Sequence, residues 1–188
     1  MVRRTALALG AAAVAVALVG CGGGLVLKHS PLTAAASSIG TVALSVNNNR
    51  AKDEGGENPM IVGRVRNMYG MPIKKEADNS VPEALKALNA DALASAGYKV
   101  ADGVEPVVVF DLTRFFMDGY MGYKLEAIAD IKVMKAGAEV FKKQINVTHG
   151  FAYKTSGSMI TAYDEFMNMI AKEVAGVYSS AEFQAAAK

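Results

Sequence analysis

Tyr123-Lys124-Leu125-Glu126-Ala127-Ile128-Ala129-Asp130-Ile131-Lys132-Val133-Met134 is the stretch on which the fold turns. Tyr123, Leu125, Ala127, Ala129, Ile131 and Val133 occupy one parity, and Lys124, Glu126, Asp130 and Lys132 occupy the other. A period of two over so many residues defines a strand with one buried and one wet face. Its neighbours repeat the pattern. Residues 106–116 carry Val108, Phe110, Leu112 and Phe116 on one side. Residues 139–153 carry Phe141, Ile145, Val147, Phe151 and Tyr153. Asp118-Gly119 and Ala136-Gly137 mark the turns between them, so the three strands are predicted to form an antiparallel meander.

Upstream, Val42, Leu44 and Val46 alternate in a strand that ends at Asn47-Asn48-Asn49-Arg50. A second strand over residues 60–67 places Ile61, Gly63 and Val65 on one side and Arg64 and Arg66 on the other, with a loop after it at residues 69–73. Ser80-Val81-Pro82-Glu83 has the form of a capping box, with Pro82 tolerated in the first turn. Val81, Leu85, Leu88 and Ala92 follow at helical spacing, and Gly97 supplies a left-handed stop before a short extended stretch at Tyr98-Lys99-Val100. Ile160, Tyr163, Met167, Ile170, Val174 and Val177 form the apolar stripe of a last long helix over about residues 159–178. A short helical tail completes the chain. The order is β-β-α-β-β-β-α. It predicts a single α+β domain: a largely antiparallel or mixed five-stranded sheet under two helices on one face.

The N-terminus carries an address. Arg3 and Arg4 precede an uncharged, Ala/Leu/Val-rich run over residues 5–18, and Leu18-Val19-Gly20 leads directly to Cys21. The run is shorter than the roughly 20 apolar residues that span a bilayer, so residues 1–20 read as a removed export signal. Leu-Val-Gly-Cys matches the bacterial lipobox. That match implies cleavage between Gly20 and Cys21, a diacylglycerol on the Cys21 thiol and often an acyl chain on the new amine. Two or more chains anchor stably where one does not. Residues 21–38 begin with Gly22-Gly23-Gly24 and are expected to form a flexible tether, whose 17 residues after the cysteine would reach about 23 Å r.m.s.. Leu25-Val26-Leu27 interrupts it, either resting on the membrane or docking on the domain of residues 39–188.

Composition limits the chemistry. The chain has 20 basic and 18 acidic side chains, and the two in excess are Arg3 and Arg4 of the signal. The processed domain is neutral, which gives no support to nucleic-acid binding. Cys21 is the one cysteine, so the domain has no disulfide or free thiol. The two histidines, His29 and His149, form no metal-ligand or triad spacing, and Thr155-Ser156-Gly157-Ser158 reads as a helix cap rather than a nucleophile elbow. Asp111, Asp118 and Asp130 could serve as paired carboxylates only if the fold brought two of them together. No catalytic residue, metal or cofactor beyond the acyl chains on Cys21 is expected.

Two clusters are candidates for binding. Asn48, Asn49 and Arg50, with Arg64 and Arg66 on the next strand, could hold an anionic envelope component or a partner; the alternative is a solvated turn and a polar sheet face. Phe115, Phe116, Met117, Tyr120, Met121 and Tyr123 crowd one hairpin. Phe115 falls on the polar parity, so the cluster is either an exposed contact site or one more piece of core.

The lipobox, the turn Val46-Asn47-Asn48-Asn49-Arg50, the strand Ile61-Val62-Gly63, the helix ending in Ala96-Gly97-Tyr98, the meander and the last helix together resemble the YajG-type group of bacterial lipoproteins over about residues 39–178. Members of that group usually carry an acidic residue in the turn, where this chain has Asn48. The resemblance implies a lipid-anchored, non-enzymatic accessory of an envelope protein complex or cell-wall component. Gly22 rather than Asp after the cysteine implies the inner leaflet of the outer membrane, facing the periplasm. A cryptic envelope hydrolase and a small-ligand or lipid carrier are the competing classes. Converging Asp111, His149 and Arg64 would favour the first, and a large apolar cavity between helices and sheet the second.

Overall fold

In the computed structural model, which describes residues 24–119, 122–152 and 155–188, the alternating stretch forms the middle of a three-strand meander. The strands are β5 (Val107–Gly119), β6 (Tyr123–Lys135) and β7 (Ala138–Phe151). β6 pairs antiparallel with both neighbours along nearly its whole length. Ala136 and Gly137 both take positive φ, as a two-residue turn between right-twisting strands requires.

The remaining strands are β1 (Gly40–Asn48), β2 (Ile61–Arg66), β3 (Pro72–Glu76) and β4 (Tyr98–Val100). β6 occupies one edge of β5, so β1 and β2 share the other edge, end to end. β1 runs parallel to residues 107–112 and β2 parallel to residues 117–119. Beyond them, β4 pairs parallel with β1 and β3 antiparallel with β2. The sheet is therefore mixed and seven-stranded. The two strands beyond the expected five are β3, where a loop was expected, and the short β4. Parallel pairing of β1 with β5 needs a crossover. Helix α1 (Val81–Ser95) lies within that connection and packs on β1 and β4. Gly63 lets β2 approach β5, because a Cβ there would come within 2.6 Å of Met117.

Helices α1, α2 (Ser156–Tyr178) and α3 (Ala181–Ala186) cover one face of the sheet. Ser80 Oγ accepts from Glu83 N at the start of α1, and Thr155 and Ser158 form a full capping box on α2. Val108, Phe110, Leu112, Leu125, Ile131 and Val133 of the sheet are buried with Leu85, Leu88, Phe166, Ile170 and Val174 of the helices. Two buried tyrosines satisfy their hydroxyls internally. Tyr163 donates to Val62 O at 2.8 Å, and Tyr178 donates to Asn89 Oδ1. Burial pushes both phenols well above their ordinary pKa.

The tether expected over residues 21–38 is instead a docked strap from Leu25 onward. Leu25 and Leu27 are buried in the main core. Asp78 N donates to Leu25 O, and the Asn79 side chain both accepts from Leu27 N and donates to Leu27 O. His29 Nε2 lies 3.0 Å from Asp91, Ser30 N donates to Asn168, and Ala35 N donates to Ala94 O. Gly-, Ala- and Ser-rich composition suits a linker, yet here every few residues find a partner on α1, on α2 or at Asp78 and Asn79 just before α1. The folded domain therefore extends back at least to Leu25, beyond the expected start at Ile39. Leu27→Asp is expected to cost about 2–4 kcal/mol of stability, limited by release of the strap. Urea unfolding measures the loss, and new proteolytic cleavage within residues 25–38 shows the release. A free tether would show neither.

Candidate functional site

Arg50 lies in the split that β1 and β2 leave along β5. Asn49 N donates to Leu112 O, the last ladder-like bond of β1. The Arg50 guanidinium fills the gap beyond it and is only 4 % exposed. Its Nε donates to Asn48 Oδ1 at 2.8 Å, and Nη1 donates to the carbonyls of Glu54, Ile61 and Phe115. Nη2 donates to the carbonyls of Gly55 and Pro59. Every N–H of the guanidinium is engaged, so none is left for an external anion. Asn48 is likewise turned inward, its amide donating to Gly55 O, while the Asn49 side chain stays exposed. The Asn/Arg turn is thus a plug that organises the β1–β2 loop. Desolvation lowers the Arg50 pKa to about 10 against the attraction of Glu54, so the group stays cationic at neutral pH.

Arg64 lies on the sheet face away from the helices, not beside Arg50's donors. It pairs with Asp118 at 3.1 Å and packs over the ring of Phe116 at 5.6 Å. The hydrogen bond it donates to Asp118 raises its pKa. Arg66, two residues on, is exposed. The same face carries Arg114 bridging Glu54 and Glu126, and Lys132 bound to Asp111 at 2.7 Å. Desolvation raises the Asp111 pKa, but hydrogen bonds from Lys132 and Asn47 outweigh it and leave the carboxyl below its ordinary value. This face is a lattice of matched charges. His149, by contrast, stands opposite Leu125 on the helix-covered face and pairs with Glu165 of α2. Asp111 and His149 are therefore separated by the sheet and do not converge.

Phe115 belongs to the core. Leu112 opposes Ala129 and Arg114 opposes Ile128, so Thr113 is an extra residue in β5. This β-bulge shifts the parity of everything after it. Phe115 and Met117 turn to the helices, fully buried, and Phe115 stacks near Tyr163 and Phe166. Phe116 turns to the charged face under Arg64 and Arg114. Tyr120, with Gly20 and Cys21, lies outside the described residues.

The fold opens a groove that none of these candidates lines. It measures about 1190 Å³ and runs between β7 and the C-terminal half of α2. Phe141, Lys143 and Val147 form one wall and Met169, Lys172 and Gly176 the other. A Cβ at Gly176 would meet nothing within 4 Å. Beside the groove runs the outer edge of β7, whose one strand partner among the described residues is β6. Fourteen residues of edge are long for an unpaired strand. One sequence signal points here: Lys143 stands opposite Ile131, a charge at a helix-facing position where the helices do not cover the sheet.

Among the described residues, no helix is long and apolar enough to cross a membrane, and no group of three or more His, Cys, Asp or Glu is placed to hold a metal ion. No family model matches the chain, and no curated protein sequence matches it significantly. Solved structures share its fold. Protein XCC0632 of Xanthomonas campestris, of the DUF330 family, aligns with 80 % of this chain and 90 % of its own at TM-score 0.60 and 14 % identity. An uncharacterised protein aligns with 81 % of this chain and 97 % of its own at TM-score 0.53 and 11 % identity. Lipoprotein GNA1162 of Neisseria meningitidis aligns over 75 % of this chain and 99 % of its own at 11 % identity, but its TM-score of 0.41 is too low to support an argument. At these identities the likeness is one of fold, the single mixed α+β domain described above.

Proposed function

We propose that this chain is a lipid-anchored, non-enzymatic accessory of the bacterial envelope that holds an extended segment of a partner protein along β7. The exposed β7 edge beside an open groove carries this reading. An added strand would satisfy the edge backbone while its alternate side chains enter the groove. Lys143 on one wall and Lys172 on the other favour a segment with acidic side chains, and Phe141, Met169 and Val177 favour apolar ones between them. The anchor rests on the lipobox: cleavage after Gly20, acylation of Cys21, and residence on the inner leaflet of the outer membrane. YajG-type kinship is part of the same proposal. Against a hydrolase stands the sheet between Asp111 and His149. Against a carrier stands the helix–sheet interior, which Phe115, Tyr163 and Phe166 fill.

A photo-crosslinking side chain at Asn146 in the full-length chain is expected to capture the same envelope protein in repeated experiments. Gly176→Leu is expected to abolish that product by filling the groove. It should also raise stability by roughly 0.5–1 kcal/mol, because glycine is a poor helix residue. No recurrent product from Asn146, or an undiminished one from Gly176→Leu, would count decisively against the strand-addition reading.

A further inference from the structure

Among the described residues the strongest apolar exposure is the tip of the β2–β3 hairpin. Met68 is 88 % exposed, Tyr69 80 %, Met71 58 % and, further along β3, Ile73 45 %. These side chains are held out rather than loose. The Asn67 side chain accepts from both Tyr69 N and Met71 N at 2.9 Å, and Asn67 N donates to Met71 O. A loop fixed in this way loses little freedom when its apolar side chains are buried by something else. From Arg66 to Lys75 the hairpin carries three basic side chains (Arg66, Lys74, Lys75) and no acidic one. Apolar tips flanked by cations suit the surface of an anionic bilayer, where Tyr and Met enter the headgroup layer and the cations meet lipid phosphates.

The docked strap places that surface nearby. Gly24 packs against the Asp78 side chain, just past the end of β3. Only three chain steps separate Gly24 from Cys21, at most about 11 Å when extended. β3 itself is five residues, roughly 17 Å. The hairpin tip therefore lies about one strand length from the point where the chain leaves for the anchor. Val26, 46 % exposed, continues the apolar line at that exit.

We infer that the β2–β3 hairpin tip seats in the headgroup layer of the membrane that holds the acyl chains, as a second contact beside the anchor. The inference rests on the lipid-anchor reading of Cys21. The chain has no tryptophan, so a single introduced one reports its own surroundings. The full lipidated chain is purified as Tyr69→Trp and as Asp102→Trp, the latter in an exposed turn after β4 at the opposite end of the sheet. Each is reconstituted into vesicles of phosphatidylethanolamine and phosphatidylglycerol. Tyr69→Trp is expected to emit at shorter wavelength than in detergent-free solution, and to lose most of its intensity to brominated lipid. Asp102→Trp is expected to do neither. If the protein floats with the vesicles but Tyr69→Trp behaves like Asp102→Trp, the membrane contact is wrong and the anchor stands. A crosslink from position 69 to a protein under those conditions has the same meaning. If Cys21 carries no acyl mass and the protein does not float, the anchor reading fails and the inference falls with it.

Discussion

Arg50→Ala is expected to lower the unfolding free energy by about 3–5 kcal/mol, read as a fall in the urea midpoint at unchanged slope. The loss comes from what the side chain leaves behind. Five backbone carbonyls, those of Glu54, Gly55, Pro59, Ile61 and Phe115, lose a charged donor together. They belong to the β1–β2 connection, the first residue of β2 and the middle of β5, so one truncation loosens three segments. Each buried acceptor without a donor costs roughly 1–3 kcal/mol, and water entering the gap recovers part of the sum. Arg50→Lys tests whether charge or shape matters. It keeps the cation but cannot reach carbonyls on several sides, so most of the loss should persist. Arg50→Met should also be destabilising, because the carbonyls stay buried without the guanidinium, even though those of Gly55 and Pro59 keep a second donor, from Asn48 and Val81. An Arg50 engaged mainly with an external anion would give the opposite pattern, with near-normal stability and lost binding.

Phe115→Ala is expected to cost about 3–5 kcal/mol, the range for removing a buried phenylalanine. Phe115 is fully buried, with ring centroids 5.5 Å from Phe166 and 6.3 Å from Tyr163. Phe115→Leu fills more of the space and should recover a large share of the loss. A sharper version acts on the backbone. Deleting Thr113 removes the extra residue, restores strict alternation, and would turn Phe115 and Met117 toward the charged face. That variant is expected to fail to reach the native state, shown by loss of cooperative unfolding. A surface role for Phe115 would instead predict a stable protein with a lost partner.

These two residues also show where the sequence could be read and where it could not. The parity of β6 is unbroken, so its buried face was legible from spacing alone. Helix α1 was legible because Ser80 and Gly97 mark its ends by local chemistry. Phe115 is ambiguous in the sequence because a bulge has no reliable one-dimensional sign; Thr113 looks like any strand residue. β3 reads as a loop in the sequence because an edge strand whose one large apolar side chain is Ile73 leaves no burial pattern. The parallel pairing of β1 and β2 with β5 is set by residues dozens of positions apart, which periodicity cannot see. The strap looked like a linker because its small residues suit both roles, and only the contacts of Leu25 and Leu27 decide between them. For the groove the trace was slight: one lysine, Lys143, in a helix-facing position. The Asn/Arg turn stood out clearly, but its cluster of polar groups serves the backbone rather than a ligand.

The strap also sets an order in time. A chain leaves the ribosome from its N-terminus, so residues 25–38 appear well before the surfaces that receive them. His29 must wait for Asp91, and Ser30 for Asn168, 138 residues later. Closing so long a loop costs chain entropy before the contact offsets it. Until α2 is made and packed, Ser30 has no Asn168 to bond, and the strap cannot complete its contacts. Once it settles, Leu25 and Leu27 are buried in the core and His29 and Ser30 lie against α1 and α2. Synthesis and compaction are thereby ordered by chain geometry alone: the strap, made early, is fully clasped only after the last long helix.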